Sequence, residues 1–307
     1  MTGGPLLWVP ITLVAATAQL LRNGAQAGLT SRIGTLGATQ VRFIYGLPFA
    51  VLFLAAGLAL SGEAMPRFDL AALGWTLLGG LCQIGGSAMM LVVMNRRAFG
   101  VSYAYIKTEP AIVALLGVVL LGDRLPPLAW AAIAIVTAGV LLASTPLREA
   151  RALIGETRMI LAGIASGAMY GLSAISFRGG IGELDSGSFV IRALAVLVVS
   201  LAMQTAILGS WLALRNRPAF IGSLREWRRS MGAGCMGAVA SSFFFSAFAL
   251  TPAANVRTLA LVELPLAALM ARRLTGKSPA RHELAGMGVV MAGVALLLLG
   301  QAHGAPA

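Results

Sequence analysis

Ten long apolar segments dominate this sequence and limit what it can fold into. A helix needs about 17–25 mostly apolar residues to cross the roughly 30 Å hydrocarbon core of a bilayer. The segments are continuously apolar rather than alternating, which favours helices over a transmembrane barrel. The sequence therefore predicts an all-α integral membrane protein with ten transmembrane helices, at approximately residues 5–25, 36–60, 70–94, 99–121, 128–144, 158–177, 187–213, 230–250, 254–272 and 283–300.

The composition agrees with a membrane protein and argues against other classes. Hydrophobic residues make up 58% of the chain and charged residues only 11%, whereas soluble domains carry about 25% charged residues. The net charge of +12 is spread over short clusters between apolar segments, whereas a nucleic-acid binder concentrates basic residues on one face. We therefore expect the lipid bilayer, and no nucleic acid, as a partner.

The sequence offers little to an enzyme. Cys82 and Cys235 lie within apolar segments, while His282 and His303 lie in a connection and in the C-terminal tail. Neither a CxxC nor an HExxH motif is present. A membrane-embedded enzyme would ordinarily need clustered Asp, His or Cys ligands, so we expect no catalytic residues, no metal and no cofactor.

The basic residues also predict an orientation. Connections that follow the odd-numbered segments, beginning with Arg22 and Arg32, carry 16 Lys and Arg residues. The opposite side carries three, namely Arg67, Arg124 and Arg178. Because cytoplasmic loops collect Lys and Arg, this bias places the odd-numbered connections in the cytoplasm and both termini outside.

Two halves of the chain can be aligned without gaps around two glutamates. An offset of 154 positions matches Glu109 to Glu263, and the same offset pairs Gly122 with Gly276, Gly139 with Gly293 and Val140 with Val294. Near the start of each half, Val41-Arg42 matches Ile191-Arg192 at an offset of 150. Five spans per half make the second half enter the membrane from the other side. The sequence thus predicts two five-helix inverted-topology repeats, residues 1–150 and 151–307, with a substrate site between them.

The segment from Glu109 to Leu125 reads Glu-Pro-Ala-Ile-Val-Ala-Leu-Leu-Gly-Val-Val-Leu-Leu-Gly-Asp-Arg-Leu and is followed by an apolar span through Gly139. It resembles the signature of EamA-type transporters, the ten-helix branch of the drug/metabolite transporter superfamily. Asp123 fits the acidic position of that signature, whereas Lys277 replaces it in the second half. The resemblance implies a bacterial inner-membrane carrier of small metabolites, often an exporter of amino acids or related compounds. Many members keep their termini in the cytoplasm; we follow the charge bias of this chain.

Glu109 and Glu263 are the first candidates for function, because an ionisable group deep in a span is costly. Each lies about halfway along its predicted span and close to a proline, Pro110 or Pro265. One hypothesis is proton coupling or binding of a cationic substrate group, since burial disfavours the charged form of a carboxylate. The alternative is a structural carboxylate bonded to Arg, Tyr or free backbone groups.

Lys107 lies two residues before Glu109 and therefore points to a different face of the helix. It shares its face with Tyr103, and we expect both residues to line the substrate site. Lys107 could bind a substrate carboxylate or pair with Glu263 across the repeats. The alternative is that its ammonium group extends to the cytoplasmic interface.

Other polar side chains within the spans give a second set of candidates. Arg42, Arg192 and Arg257 lie near span starts, where pairing between helices or extension to the interface competes with substrate contact. Two polar stripes follow helical spacing, and such stripes line a cavity or form hydrogen bonds between helices. The stripes consist of Gln19, Asn23 and Gln26 in the first span and of Gln83 and Ser87 in the third.

Together these features predict a secondary transporter that exports a small polar metabolite by alternating access. The excess of buried cations favours an amino acid or a related carboxylate-bearing compound as substrate. Proton exchange and uncoupled facilitated movement are the two alternatives for the transport step, and the carrier acts as a monomer or a homodimer. The main alternative is an exporter of cationic or hydrophobic drugs, against which Lys107 argues.

Overall fold

The chain is an all-α protein in a computed structural model that describes residues 6–96, 109–144, 157–275 and 279–303. Within these residues it forms 11 helices. They are α1 Trp8–Ser61, α2 Leu70–Arg96, α3 Glu109–Leu121, α4 Pro127–Ser144, α5 Thr157–Glu183, α6 Phe189–Arg215, α7 Arg217–Arg225, α8 Trp227–Phe248, α9 Ala253–Ala260, α10 Glu263–Thr275 and α11 Arg281–His303.

Several of these helices can cross a membrane. Six segments of the described residues are long and apolar enough to do so, and two shorter apolar helices, Glu109–Leu121 and Pro127–Ala143, accompany them. The chain is a multi-pass membrane protein. The six are Arg32–Ser61, Leu70–Met90, Phe189–Arg215, Trp227–Phe248, Ala253–Met270 and Arg281–Ala302.

The first two predicted spans follow each other without a loop. α1 covers both, and its direction changes at Gly34, whose backbone has φ 69° and ψ 172°. Only glycine adopts this conformation without strain. The Gln26 amide nitrogen donates to the Ala38 carbonyl oxygen at 2.7 Å, which ties the two parts of α1 together across the bend. Gln26, predicted to line the site with Gln19 and Asn23, thus has a local backbone partner.

The ninth predicted span is interrupted. α9 ends at Ala260 and α10 begins at Glu263, with tight turns between them in which Leu261 and Val262 donate to Thr258 and Leu259, at 3.2 Å and 3.1 Å. Pro265 explains the interruption, because it has no N–H and its ring clashes with the carbonyl four residues earlier, that of Leu261. The interruption places Glu263 at the first position of a helix.

The short helix α7 was not predicted from the sequence. Asn216 caps its start, accepting from the Ala219 amide at 3.3 Å, and Pro218 occupies its first turn. The hydroxyl of Tyr45 on α1 donates to the Ser223 carbonyl oxygen at 3.1 Å. α7 therefore lies against the part of α1 that follows the bend at Gly34.

Polar contacts group the connections at two ends of the bundle. At one end, Arg32 lies 3.9 Å from Glu226. At the other, the Ser188 amide donates to Glu63 at 2.6 Å, and Arg178 pairs with Asp123 at 2.5 Å. The first end contains odd-numbered connections and the second contains even-numbered ones, as an alternating path through a membrane requires.

Close helix pairs form the core, with α1 packed on α8, α2 on α5 and α4 on α11. At the α4–α11 interface, a Cβ added to Gly139 would lie 2.7 Å from the Val290 nitrogen, and one added to Gly293 would lie 3.0 Å from the Val136 nitrogen. The two contacts are reciprocal, because 154 positions separate both Gly139 from Gly293 and Val136 from Val290. Glycine lets the backbones approach this closely.

Candidate functional site

A buried ion pair joins the two halves of the chain. The Arg257 Nε donates to Glu109 Oε1 at 2.5 Å, and the Arg257 Nη2 contacts the same oxygen. Glu109 opens α3, whereas Arg257 lies in the last turn of α9, and their side chains are 9% and 17% exposed. The Arg257 guanidinium also lies over the Phe244 ring, 5.5 Å from its centroid. Arg257 thus pairs with a carboxylate on another helix. Glu109 has an arginine partner, as its alternative role as a structural carboxylate predicts.

The second glutamate lies at the start of α10 and is 2% exposed. The Gln19 amide nitrogen donates to Glu263 Oε2 at 2.9 Å, which again connects the first half to the second. Glu263 also interacts electrostatically with Arg22. The structure therefore brings Gln19, predicted as a site residue, directly to Glu263.

Arg22 is a site candidate that the sequence analysis missed. Its place at the edge of the first apolar segment put it among the cytoplasmic connection residues, but it lies inside α1 and is only 7% exposed. Its Nη2 and Nε donate to Asn23 Oδ1 at 2.8 Å and 3.3 Å. When Arg22 is left out of the count, the connections assigned to the cytoplasm still carry far more basic residues than the opposite side. Its spacing of three residues from Gln19 placed it on the same helix face, which is the signal that could have identified it.

Arg42 is half-buried and shares its surroundings with Arg22. A Cβ added to Gly237 of α8 would lie 3.2 Å from the Arg22 Cδ and 4.0 Å from the Arg42 Cγ. Both arginine side chains therefore cross the same glycine. The Arg42 guanidinium lies 5.7 Å from the centroid of the Phe43 ring and interacts electrostatically with Arg257 and Tyr170.

These side chains form one cluster, which we call the central cluster: Arg22, Arg42, Arg257, Glu109 and Glu263. Arg22 interacts electrostatically with the other arginines and with Glu263. The cluster contains three cations and two carboxylates, so one positive charge is left without a compensating carboxylate among its members. Uncompensated charge in a low-dielectric interior is unfavourable, and an anionic ligand would relieve it.

A neighbouring set of hydrogen bonds also crosses between the halves. Ser87 shares a hydrogen bond with the Tyr170 hydroxyl at 2.9 Å, and the Gln204 amide nitrogen donates to Gln83 Oε1 at 2.9 Å. Gln83 and Ser87 thus form hydrogen bonds between helices. This is one of the two alternatives, beside lining a cavity, that were predicted for the polar stripe of the third span. Tyr170, which the sequence analysis did not select, links them to the central cluster through its electrostatic interactions with Arg22 and Arg42.

Of the three remaining predicted residues, Arg192 lies within the described part of the chain. Arg192 lies in the first turn of α6, where its amide donates to the Ser188 carbonyl oxygen, and its Nε is buried without a described hydrogen-bond partner. No described contact links it to the central cluster. Lys107 and Tyr103 lie outside the described residues, so their placement stays a prediction.

The side chains of the central cluster have groups that are able to bind a ligand and to transfer protons. Its carboxylates can exchange protons, and its guanidinium groups can bind carboxylate or phosphate oxygens with paired N–H groups. Within the described residues, no group of three His, Cys, Asp or Glu side chains is placed to hold a metal ion.

Comparison with known proteins gives matches at two levels. Residues 157–299 match the EamA-like transporter family, whose members are transporters and not enzymes. A solved structure, described only as the crystal structure of a protein, is 18% identical in sequence, with a TM-score of 0.66 over 94% of this chain and 98% of the other. That likeness concerns the fold alone. No curated protein matches the chain.

Proposed function

Because residues 157–299 form a domain of the EamA-like transporter family, we propose that this protein is a secondary carrier that exports a small carboxylate-bearing metabolite, such as an amino acid, by alternating access. The central cluster carries this proposal. Its members come from both halves of the chain, and it lies deep within the helices. A site with these properties binds a solute between the halves of an inverted repeat.

The reciprocal contacts at the α4–α11 interface support the inverted repeat. Gly139 of the first half contacts Val290 of the second half, and Gly293 of the second half contacts Val136 of the first. Exchanging the two halves converts one contact into the other. Polar contacts at the centre also connect the halves, as in the pairs Glu109–Arg257 and Gln19–Glu263. We therefore assign residues 1–150 and 151–307 to the two five-helix repeats that rock about this centre.

The surplus of positive charge supports an anionic group on the substrate. Arg257 is already neutralised by Glu109, whereas Arg22 and Arg42 form no ion pair with a described carboxylate. A substrate carboxylate would supply the missing negative charge, and a substrate ammonium group would find its counterpart in a glutamate. An amino acid satisfies both requirements.

The two glutamates are the candidates for proton coupling. In this mechanism a proton enters on one side of the membrane as the substrate leaves on the other, and Glu109 releases Arg257 when it is protonated. We place the carrier in the bacterial inner membrane with the odd-numbered connections, including α7, in the cytoplasm. The basic residues of those connections support this orientation.

Transport into proteoliposomes tests the proposal. The purified chain is reconstituted and loaded with unlabelled solute, and uptake of labelled amino acids and organic acids is measured with and without a pH gradient. Wild type is compared with Glu109→Gln and Glu263→Gln, and with Glu183→Gln as a control, since Glu183 is an exposed carboxylate at the end of α5.

We expect uptake of at least one carboxylate-bearing solute, with a pH dependence that Glu183→Gln retains and both central variants lose. Uptake that keeps its pH dependence in Glu109→Gln and Glu263→Gln would remove the coupling role. Competition by organic cations, with no effect of carboxylates, would favour the alternative of a drug exporter.

A further inference from the structure

Arg22 and Arg42 occupy one place in the bundle although they come from the two sides of the bend in α1. Gly34 reverses the path of α1, and the two arginines lie 12 residues before it and eight after it. Their side chains then meet on Gly237 of α8, which has no Cβ to exclude them. At about 1.5 Å per residue, both lie about 12–18 Å along the helix from the bend, well inside the span.

Neither arginine forms an ion pair with a carboxylate among the described residues, although Glu263 interacts electrostatically with Arg22. The described hydrogen bonds of Arg22 both go to the neutral Asn23 side chain and leave its Nη1 free. Arg42 makes no hydrogen bond within the described ranges, and its guanidinium packs over Phe43. Two adjacent guanidinium groups repel each other, and Arg22 is more than nine-tenths buried. Glu263 offsets part of this repulsion, and a bound anion would offset the rest.

We propose that Arg22 and Arg42, seated on Gly237, form the subsite that binds the carboxylate of the transported substrate. The two guanidinium groups bind the carboxylate oxygens through N–H groups that donate to no described protein acceptor. Arg257 remains paired with Glu109. This inference deepens the proposed function and rests on it, because it names the specificity-determining residues of the same site. It assigns Arg22 a role that its position at the end of an apolar segment does not suggest.

The subsite also has a chemical consequence for selectivity. Paired guanidinium groups bind planar, two-oxygen anions better than spherical ones. The subsite should therefore prefer carboxylates to chloride at equal ionic strength. Tetrahedral oxyanions such as phosphate share part of this chemistry, so they serve as a second probe.

Thermal unfolding of the full-length purified protein provides the first test. The midpoint is measured in sodium acetate, sodium phosphate and sodium chloride at constant ionic strength, for wild type, Arg22→Gln and Arg42→Gln. Arg67→Gln is the control, since Arg67 is exposed in the connection after α1. We expect acetate to raise the midpoint of wild type and Arg67→Gln relative to chloride, and to have no such effect in the two subsite variants.

The same variants separate a binding role from a structural one. In chloride, Arg22→Gln should unfold at the same temperature as wild type or higher, because it removes an uncompensated buried charge. A structural arginine would instead lower the midpoint when replaced. Carboxylate uptake into proteoliposomes should fall about tenfold or more in Arg22→Gln, as expected for the loss of one charge-assisted contact.

Gly237 offers an independent test that leaves both charges in place. Gly237→Val would push the Arg22 stem away, whereas Gly232→Val, in the same helix, has open space for its side chain. We expect acetate no longer to raise the unfolding midpoint in Gly237→Val, and still to raise it in Gly232→Val. If Arg22→Gln does not fold, Arg22→Lys takes its place in the test. It keeps the positive charge but lacks the paired N–H groups of a guanidinium, so it should lose most of the acetate effect.

The outcomes distinguish this inference from the function on which it rests. An acetate effect that Arg22→Gln or Arg22→Lys retains in full overturns the subsite, even where carboxylate transport is observed. An acetate effect that needs both arginines, in a protein that transports no carboxylate, upholds the subsite and overturns the proposed substrate class. Wild type that responds equally to acetate and chloride contradicts the subsite.

Discussion

The α4–α11 interface allows a quantitative test of how glycine holds the two halves together. A Cβ at Gly139 would lie 2.7 Å from the Val290 nitrogen and 2.9 Å from the Gly286 carbonyl oxygen. Neither backbone atom can rotate away. Since nonbonded contacts are optimal near 3.5–4.0 Å, Gly139→Ala requires the helices to separate by about 0.8 Å or more.

The expected magnitude follows from two opposing terms. Overpacking typically costs about 1–3 kcal/mol, while alanine is favoured over glycine in a helix by about 0.5–1 kcal/mol. Taking the middle of each range, we expect Gly139→Ala to reduce the free energy of unfolding by about 1 kcal/mol, which corresponds to a midpoint about 2–4 °C lower. Gly288→Ala in α11 is the matched control, because nothing lies within 4 Å of its added Cβ. That substitution should leave the midpoint unchanged or raise it.

Thermal unfolding in detergent measures both variants, and the double variant Gly139→Ala/Gly293→Ala tests the reciprocity. If one separation of the helices relieves both clashes, the double variant should lose less stability than the two single losses combined. Equal midpoints for Gly139→Ala and Gly288→Ala would refute the argument that close backbone approach at this interface contributes to stability.

Three further predictions concern the ends of the bundle and the interrupted helix. Asp123→Ala should lower the free energy of unfolding by about 1.5–3 kcal/mol, because it removes the partner of Arg178; a midpoint equal to that of Arg124→Ala, an exposed neighbour, would contradict it. Pro265→Ala removes the cause of the break before α10, so we expect a folded protein whose transport falls about tenfold or more; full transport would show that the break is dispensable. A periplasm-sensitive reporter fused to the C-terminus should be active, and activity only with a cytoplasmic reporter would invert the orientation.

Parts of the site follow from the sequence because they depend on local properties. Glu109 and Glu263 stand out wherever hydropathy is plotted, since a carboxylate deep in an apolar segment has few roles. The polar side chain of Gln19 is equally visible, although its partner is not. The family resemblance drawn from the segment after Glu109 is confirmed over residues 157–299.

Other parts could not be predicted, because they depend on which helices meet. Arg257 looks like a residue near a span start until α9 is placed beside α3. Arg22 looks like part of a connection, because it lies close to the end of the first apolar segment. Only the bend at Gly34, which folds the two parts of α1 back on each other, brings it to Arg42.

The sequence alone determined that the chain is helical, that it lies in a membrane and that Glu109 and Glu263 are buried, because hydrophobicity and local spacing decide these properties. The tertiary structure decided which charges neutralise each other and which are left over. Ion pairing depends on distances of a few ångströms between helices that are far apart in the chain, and no pattern along the sequence contains those distances.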